Sequence, residues 1–176
     1  LSMNYQNGAL GHKQAADKSW ADVEGAYQRR NDLIGNLVNT VKGAAEFEKS
    51  TLEAVVNARA KATAVNIDPT NITPEQLEQF QQAQSGVSSA LSRLLVSVEK
   101  YPDLKANQNF LKLQDELAST ENQILTSRTR YNEKVELYNN YVLKMPAKFF
   151  LSGYNERAFF KADAGAEKAP EVKFEF

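Results

Sequence analysis

Three charged residues stand where helical apolar stripes would place them in the protein interior. Arg30 is in phase with the apolar series from Trp20 to Val41, and Glu121 and Arg128 interrupt the series of the last predicted helix. Steps of three and four residues bring side chains to one helix face. A buried charge must be paired and hydrogen-bonded. We therefore expect a buried polar set in which an Arg30–Glu121 pair fixes the register of two antiparallel helices. In the alternative interpretation these side chains extend to the edge of the stripe and reach water.

Residues suited to catalysis or metal binding are few. The chain has no cysteine and a single histidine, His12. Di-iron sites of helical bundles need paired Glu-x-x-His motifs, and a serine nucleophile needs a histidine base within reach. A site made only of carboxylates would require distant glutamates to converge, and we interpret them as charges of solvated faces. We expect no enzyme activity, no cofactor and no metal.

Composition sets the class of protein. The 176 residues are enough for one domain with a real core, and their 42% hydrophobic and 24% charged content is typical of a globular chain. The net charge of −1 with both signs interspersed provides no basic surface for nucleic acid. No apolar run is long enough to cross a membrane.

Periodicity predicts helices at about 12–44 and 48–65, after a flexible arm at 1–11. Gly43 favours a break between the two helices, and Ser50 to Glu53 fits a capping box for the second. The alternative is one continuous helix from 13 to 65.

Two further helices are predicted at about 74–101 and 103–145. Thr73, Pro74 and Gln76 form an N-terminal signature of cap, first helical position and capping box, and Pro102 ends the third helix. Short connections between long amphipathic helices favour antiparallel neighbours. The predicted helical domain, 12–145, is therefore an all-α, up-and-down four-helix bundle with long first and last helices.

The remaining segment, 146–176, is predicted to be an irregular tail rich in aromatic residues. Residues 171–176 alternate charged and apolar side chains, as a β-strand does. We expect the tail aromatics either to bind a partner or the membrane surface, or to fold back over one end of the bundle. The candidate residues are Phe149, Phe150, Phe159, Phe160, Phe174 and Phe176.

Several segments carry a resemblance to a known family: YQRRNDLIGNLV at 27–38, VKG at 41–43, ARA at 58–60, residues 101–110, TEN at 120–122, RYN at 130–132, FKAD at 160–163 and GAEKAP at 165–170. Together these segments resemble the LemA family of bacterial envelope proteins. The resemblance covers the chain from Trp20 onward and departs at Gly35, where many relatives have proline, and between residues 149 and 158.

The resemblance implies a four-helix bundle held at the cell membrane or envelope by an N-terminal transmembrane or lipid anchor, which would lie upstream of Leu1. It implies no enzyme activity and leaves the side of the membrane open. We expect a non-catalytic interaction or scaffold module, whose partner is an envelope protein or a second copy of the chain.

The alternative function is a carrier of a small ligand or cofactor, with a pocket between helices near Tyr27, Arg30 and Tyr131. An inter-helical pocket of at least about 300 Å³ with converging polar groups would favour the carrier. A sealed core with exposed apolar side chains would favour the interaction module.

Overall fold

The computed structural model describes residues 1–44, 46–144 and 146–161, and in these ranges the chain is helical and has no β-strand. The expected all-α class is confirmed. The two longest helices, with 41 and 36 residues, extend over about 60 and 54 Å at the usual rise per residue. The helices of the described residues are α1 (Ser2–Lys42), α2 (Lys49–Ala64), α3 (Pro74–Val98), α4 (Pro102–Lys105), α5 (Gln108–Leu143) and α6 (Ala147–Phe150).

The first helix begins ten residues earlier than predicted, so the expectation of a loose arm at 1–11 is wrong. The reason is packing against α5. Ala9 is fully buried in a cluster with Tyr138 and Val142, and a β-carbon at Gly8 would overlap the hydroxyl of Tyr141. Tertiary contacts of this kind stabilise a helix whose own propensity is low.

The predicted break between the first two helices is confirmed. Helix α1 ends at Lys42 with Gly43 as its C-cap, and α2 starts at Lys49. The predicted capping box at Ser50 is wrong, because Glu48 is the N-cap residue and Ser50 lies inside the helix.

Side-chain caps define where helices α3 and α5 begin. Thr73 and Gln76 form the predicted capping box of α3, with the Gln76 N–H donating to Thr73 Oγ1 at 3.2 Å. The single helix predicted at 103–145 is divided instead, because Asn107 caps a new helix by accepting from the Phe110 N–H at 3.1 Å. Helix α6 adds one turn to the segment predicted to be irregular. The strand predicted at 171–176 lies outside the described residues.

Helices α1 and α5 pair along most of their length, and α2 packs on α3. Contacts of His12 with Tyr141 and of Trp20 with Tyr131 show that α1 and α5 run antiparallel. The largest core cluster draws on α1, α2, α3, α4 and α5, whereas a third cluster draws only on α1, on α5 and on residues from 147 onward. The α1–α5 pair therefore forms the structural axis of the described part of the chain.

Candidate functional site

Arg30 and Glu121 meet in the protein interior. Arg30 Nη1 lies 3.0 Å from Glu121 Oε1, and the arginine is only 2% exposed. Nη1 also donates to Ser88 Oγ at 2.9 Å, and Nη2 donates to the side-chain and main-chain oxygens of Gln84 at 2.7 and 3.1 Å. The guanidinium carbon lies 5.1 Å from the centre of the Tyr27 ring. One side chain thus joins α1, α3 and α5.

Arg128, expected in the same set, lies near Tyr27, whose ring Arg30 also contacts. It is half-buried, and its guanidinium carbon is 4.7 Å from the centre of the Phe160 ring. Burial raises the pKa of Tyr27 even though Arg128 and Arg30, both nearby, lower it in part. Tyr27 is therefore neutral at physiological pH and is not an acid–base group there.

A second polar network, which sequence reasoning missed, holds the segment after α6 against α5. The amide of Asn132 bonds both the N–H and the carbonyl of Phe160, at 2.8 and 3.0 Å. The amide of Asn139 does the same for Arg157, at 2.7 and 2.9 Å. The preceding tyrosines donate to carbonyl oxygens two residues earlier in the segment, Tyr131 to Ala158 and Tyr138 to Asn155.

The spacing of the two asparagines on α5 explains how both amides reach the segment after α6. A Tyr-Asn dipeptide occurs at 131–132 and again at 138–139. Seven helical residues advance about 10.5 Å, and three extended residues advance about 10 Å. The repeat on α5 therefore matches the advance from Arg157 to Phe160. The repeated dipeptide was the available sequence signal.

Arg157 anchors the same segment from its side chain. It is 8% exposed, donates from Nε to the Tyr131 hydroxyl at 3.0 Å and from Nη1 to Asp17 at 2.6 Å. Burial lowers the pKa of Arg157, but the hydrogen bonds and charges of Tyr131 and Asp17 outweigh it, so the pKa is raised. Burial also raises the pKa of Tyr131. The pair is thus a neutral phenol and a permanent cation, which suits attachment rather than proton transfer.

The tail aromatics divide into buried and exposed residues. Phe160 is 4% exposed and packs against Trp20, Phe80 and Tyr131. Of the two roles expected for the tail aromatics, Phe160 therefore has that of a core residue and does not belong to a partner surface. Phe150 is half-buried, while Phe149 and Phe159 are 76% and 50% exposed. Phe174 and Phe176 lie outside the described residues.

The outer face of the α1–α5 pair carries a solvent-open groove of about 480 Å³. Gly25 and Ala26 lie along α1, and the exposed guanidinium groups of Arg29 and Arg130 line the groove. Arg29 Nη1 donates to Gln123 Oε1 across it at 3.0 Å. The other lining side chains are mostly polar: Asp22, Ser119, Asn122, Thr126 and Ser127.

The cavity at the place expected for a carrier pocket is smaller than the expected minimum of about 300 Å³. A cavity of about 230 Å³ lies beside Tyr27, between α1, the end of α2 and α3. The polar groups of Arg30 and Tyr131 are hydrogen-bonded to other groups of the protein.

Among the described residues, no group of three or more His, Asp or Glu side chains is placed to hold a metal ion. No helix in the same ranges has the length and apolar character needed to cross a bilayer.

The fold and these networks define an all-helical protein whose long helices are fastened by buried arginines. The chain belongs to the LemA family, whose family model matches residues 19–174. It is similar to "Magnetosome protein MamQ 2" of Paramagnetospirillum magneticum, with 26% identity over 80% of this chain and 59% of that protein.

Two further relatives are similar to this chain at about the same level of identity. "Protein LemA" of Metamycoplasma hominis is 26% identical over 67% of this chain and 50% of its own length. "Magnetosome protein MamQ" of Magnetospirillum gryphiswaldense is 25% identical over 91% of this chain and 65% of its own length. The chain therefore spans about half to two thirds of these curated relatives.

Proposed function

We propose that the protein is a non-catalytic, membrane-tethered interaction or scaffold module of the bacterial cell envelope. The tether is an N-terminal transmembrane or lipid anchor outside these 176 residues. Family membership supports this proposal, as do the relatives named magnetosome proteins. Fractionation of cells that express the full-length protein tests the tether, because an anchored protein stays with membranes after a high-salt wash. Quantitative release by salt would contradict an anchor.

We further propose that α1, α2, α3 and α5 form an antiparallel up-and-down four-helix bundle. The large core cluster, to which all four helices contribute, supports this arrangement. Distances between pairs of spin labels placed on exposed positions of α1 and α3 test it, because these two helices run parallel in such a bundle. Distances that fit an antiparallel α1 and α3 would reject it.

The observation that carries the interaction function is the groove between α1 and α5. It is open to solvent and lies on a helix pair that is fastened at Arg30. It presents the cations of Arg29 and Arg130, the carboxylate of Asp22, and amide and hydroxyl groups between them. Small-molecule pockets enclose most of their ligand's surface. An open groove with two arginines and one aspartate is better suited to a protein segment that carries carboxylates, because Arg binds carboxylates with two parallel hydrogen bonds.

The test is crosslinking of the full-length protein in envelopes, followed by affinity capture and mass spectrometry. The Arg130→Glu variant is compared with Lys112→Glu, a matched charge reversal at an exposed position of α5 outside the groove. We expect a partner captured by wild type and by Lys112→Glu to be lost from Arg130→Glu. Equal capture by all three proteins would contradict a role for the groove.

A carrier of a small anionic ligand is the second candidate, because the volume of the same groove exceeds the minimum of about 300 Å³ expected for a carrier pocket. In that case a dicarboxylate or sugar phosphate would raise the melting temperature of wild type but not of Arg29→Gln with Arg130→Gln. No shift with any such compound, together with a captured protein partner, would leave the interaction module as the function.

A further inference from the structure

One end of the α1–α5 pair extends beyond the other long helices. Its core is the third cluster, in which Ala9 of α1 and Tyr138 and Val142 of α5 pack with Ala147 and Leu151. No residue of α2 or α3 belongs to that cluster. This end of the pair is therefore covered by fewer elements than the middle, where Trp20 and Tyr27 contact Phe80 of α3.

Large apolar side chains are exposed there. Phe149 is 76%, Met3 73% and Leu143 45% exposed. Phe150 stacks on Tyr5 with ring centres 5.4 Å apart and planes nearly parallel, and Phe149 stands against Phe150 at 85°. Because the Phe150 ring is fixed against α1, the neighbouring Phe149 is presented to solvent. We call Met3, Tyr5, Leu143, Phe149 and Phe150 the aromatic end.

The charged residues of the segments that form the aromatic end are lysines. Residues 1–16 and 137–155 contain three lysines and no aspartate or glutamate, although the whole chain has a net charge of −1. Lys13 is paired with Asp17, which lies just outside these segments. Lys144 and Lys148 are exposed, and they lie one turn apart because the Lys148 N–H donates to the Lys144 carbonyl oxygen at 2.8 Å. Exposed apolar groups beside lysines complement a surface with acyl chains below negative headgroups.

We propose that the aromatic end docks on an anionic lipid bilayer. Phe149 and Met3 enter the boundary between headgroups and acyl chains, and the ammonium groups of Lys144 and Lys148 bind lipid phosphates. Exposed rings beside lysines suit the layered chemistry of a bilayer face, whereas the α1–α5 groove suits a protein segment. This docking goes beyond the proposed function, because it uses neither the groove nor the N-terminal anchor.

The test is cosedimentation of the 176-residue chain with vesicles. One set contains phosphatidylcholine with phosphatidylglycerol, and the other contains phosphatidylcholine alone. We expect binding to the anionic vesicles that weakens as salt is added. The Phe149→Ser variant should lower the affinity about tenfold. The Lys144→Gln, Lys148→Gln variant should lower it about 30-fold at low salt.

Two controls separate this surface from others. Val96 of α3 is 69% exposed and belongs to none of the clusters at this end, so Val96→Ser should bind as wild type does. Phe174→Ser with Phe176→Ser removes the aromatics outside the described residues, and it should also leave binding unchanged. Circular dichroism of each variant verifies folding.

Three results would overturn the proposal. The first is failure of the folded wild type to bind anionic vesicles, and the second is equal loss of binding in Val96→Ser and Phe149→Ser. The third is loss of binding in Phe174→Ser with Phe176→Ser while Phe149→Ser still binds. None of these results bears on capture of a protein partner by the groove, so the two proposals fail separately.

Discussion

The Arg30 guanidinium and the Glu121 carboxylate lie 3.0 Å apart in the interior, although 91 positions separate them in the chain. The contact joins the last third of α1 to the first half of α5. Gln84 and Ser88 bring α3 to the same guanidinium. A shift of either helix by one turn would leave a buried charge without its partner, so this contact selects one register.

The first prediction concerns the cost of breaking this pair. Arg30→Met leaves Glu121 buried and unpaired, and it should lower the free energy of unfolding by about 3–5 kcal/mol. Adding Glu121→Leu removes the stranded carboxylate and should recover at least about 1 kcal/mol. Urea unfolding measures both. The matched control is Arg29→Met at the exposed neighbouring position, which should change stability by less than about 0.5 kcal/mol. Equal losses in Arg29→Met and Arg30→Met would contradict the assignment.

The second prediction concerns the asparagine amides on α5. Asn132→Ala leaves the N–H and carbonyl of Phe160 without their partners, and it should cost about 1–3 kcal/mol. Hydrogen exchange at the Phe160 amide should accelerate. Asn140→Ala, at an exposed position of the same helix, is the control and should leave that amide protected. Unchanged exchange in Asn132→Ala would show that the amide does not hold the segment.

The third prediction uses two adjacent phenylalanines. Phe160 is 4% exposed and Phe159 is 50% exposed. Phe160→Ala opens a cavity among aromatic rings and should destabilise the fold by about 3–5 kcal/mol. Phe159→Ala should cost less than about 1 kcal/mol, because its ring is half in water already. Chemical denaturation of the two variants measures the difference. A larger loss of stability in Phe159→Ala than in Phe160→Ala would contradict the burial of the Phe160 ring.

The fourth prediction tests the start of α1. Gly11 has open space where a β-carbon would lie, so Gly11→Ala should stabilise the helix by about 0.5–1 kcal/mol. Gly8 lies against the Tyr141 hydroxyl, so Gly8→Ala should give no such gain. Thermal unfolding followed by circular dichroism compares the two. If both substitutions were neutral, residues 1–11 would be the loose arm that the sequence favoured.

Sequence periodicity was informative where large apolar residues form a stripe. It placed Arg30 and Glu121 on inward faces because both are in phase with such stripes, and it located the start of α3 from a local capping motif. It failed at 1–11 because that part of α1 packs through Gly8 and Ala9, which carry almost no apolar signal.

Residues 157–160, which α5 holds in place, show a different limit of prediction from sequence. Arg157 and Phe160 belong to no periodic stretch, and their burial depends on Asn132 and Asn139 of a helix that precedes them. An asparagine on a helix usually indicates a solvated face. Only the extended segment beside α5 gives the repeated Tyr-Asn dipeptide its meaning, and that arrangement is a tertiary property.

The most direct test of the interaction function is site-specific photocrosslinking in living cells. A photoreactive phenylalanine analogue replaces Asn122, an exposed residue of the groove, or Val56, which is 43% exposed on α2 outside the groove. Our account predicts a discrete crosslinked protein from position 122 that is absent at position 56 and disappears when Arg130→Glu is added. No specific product from position 122, or the same products from both positions, would contradict it.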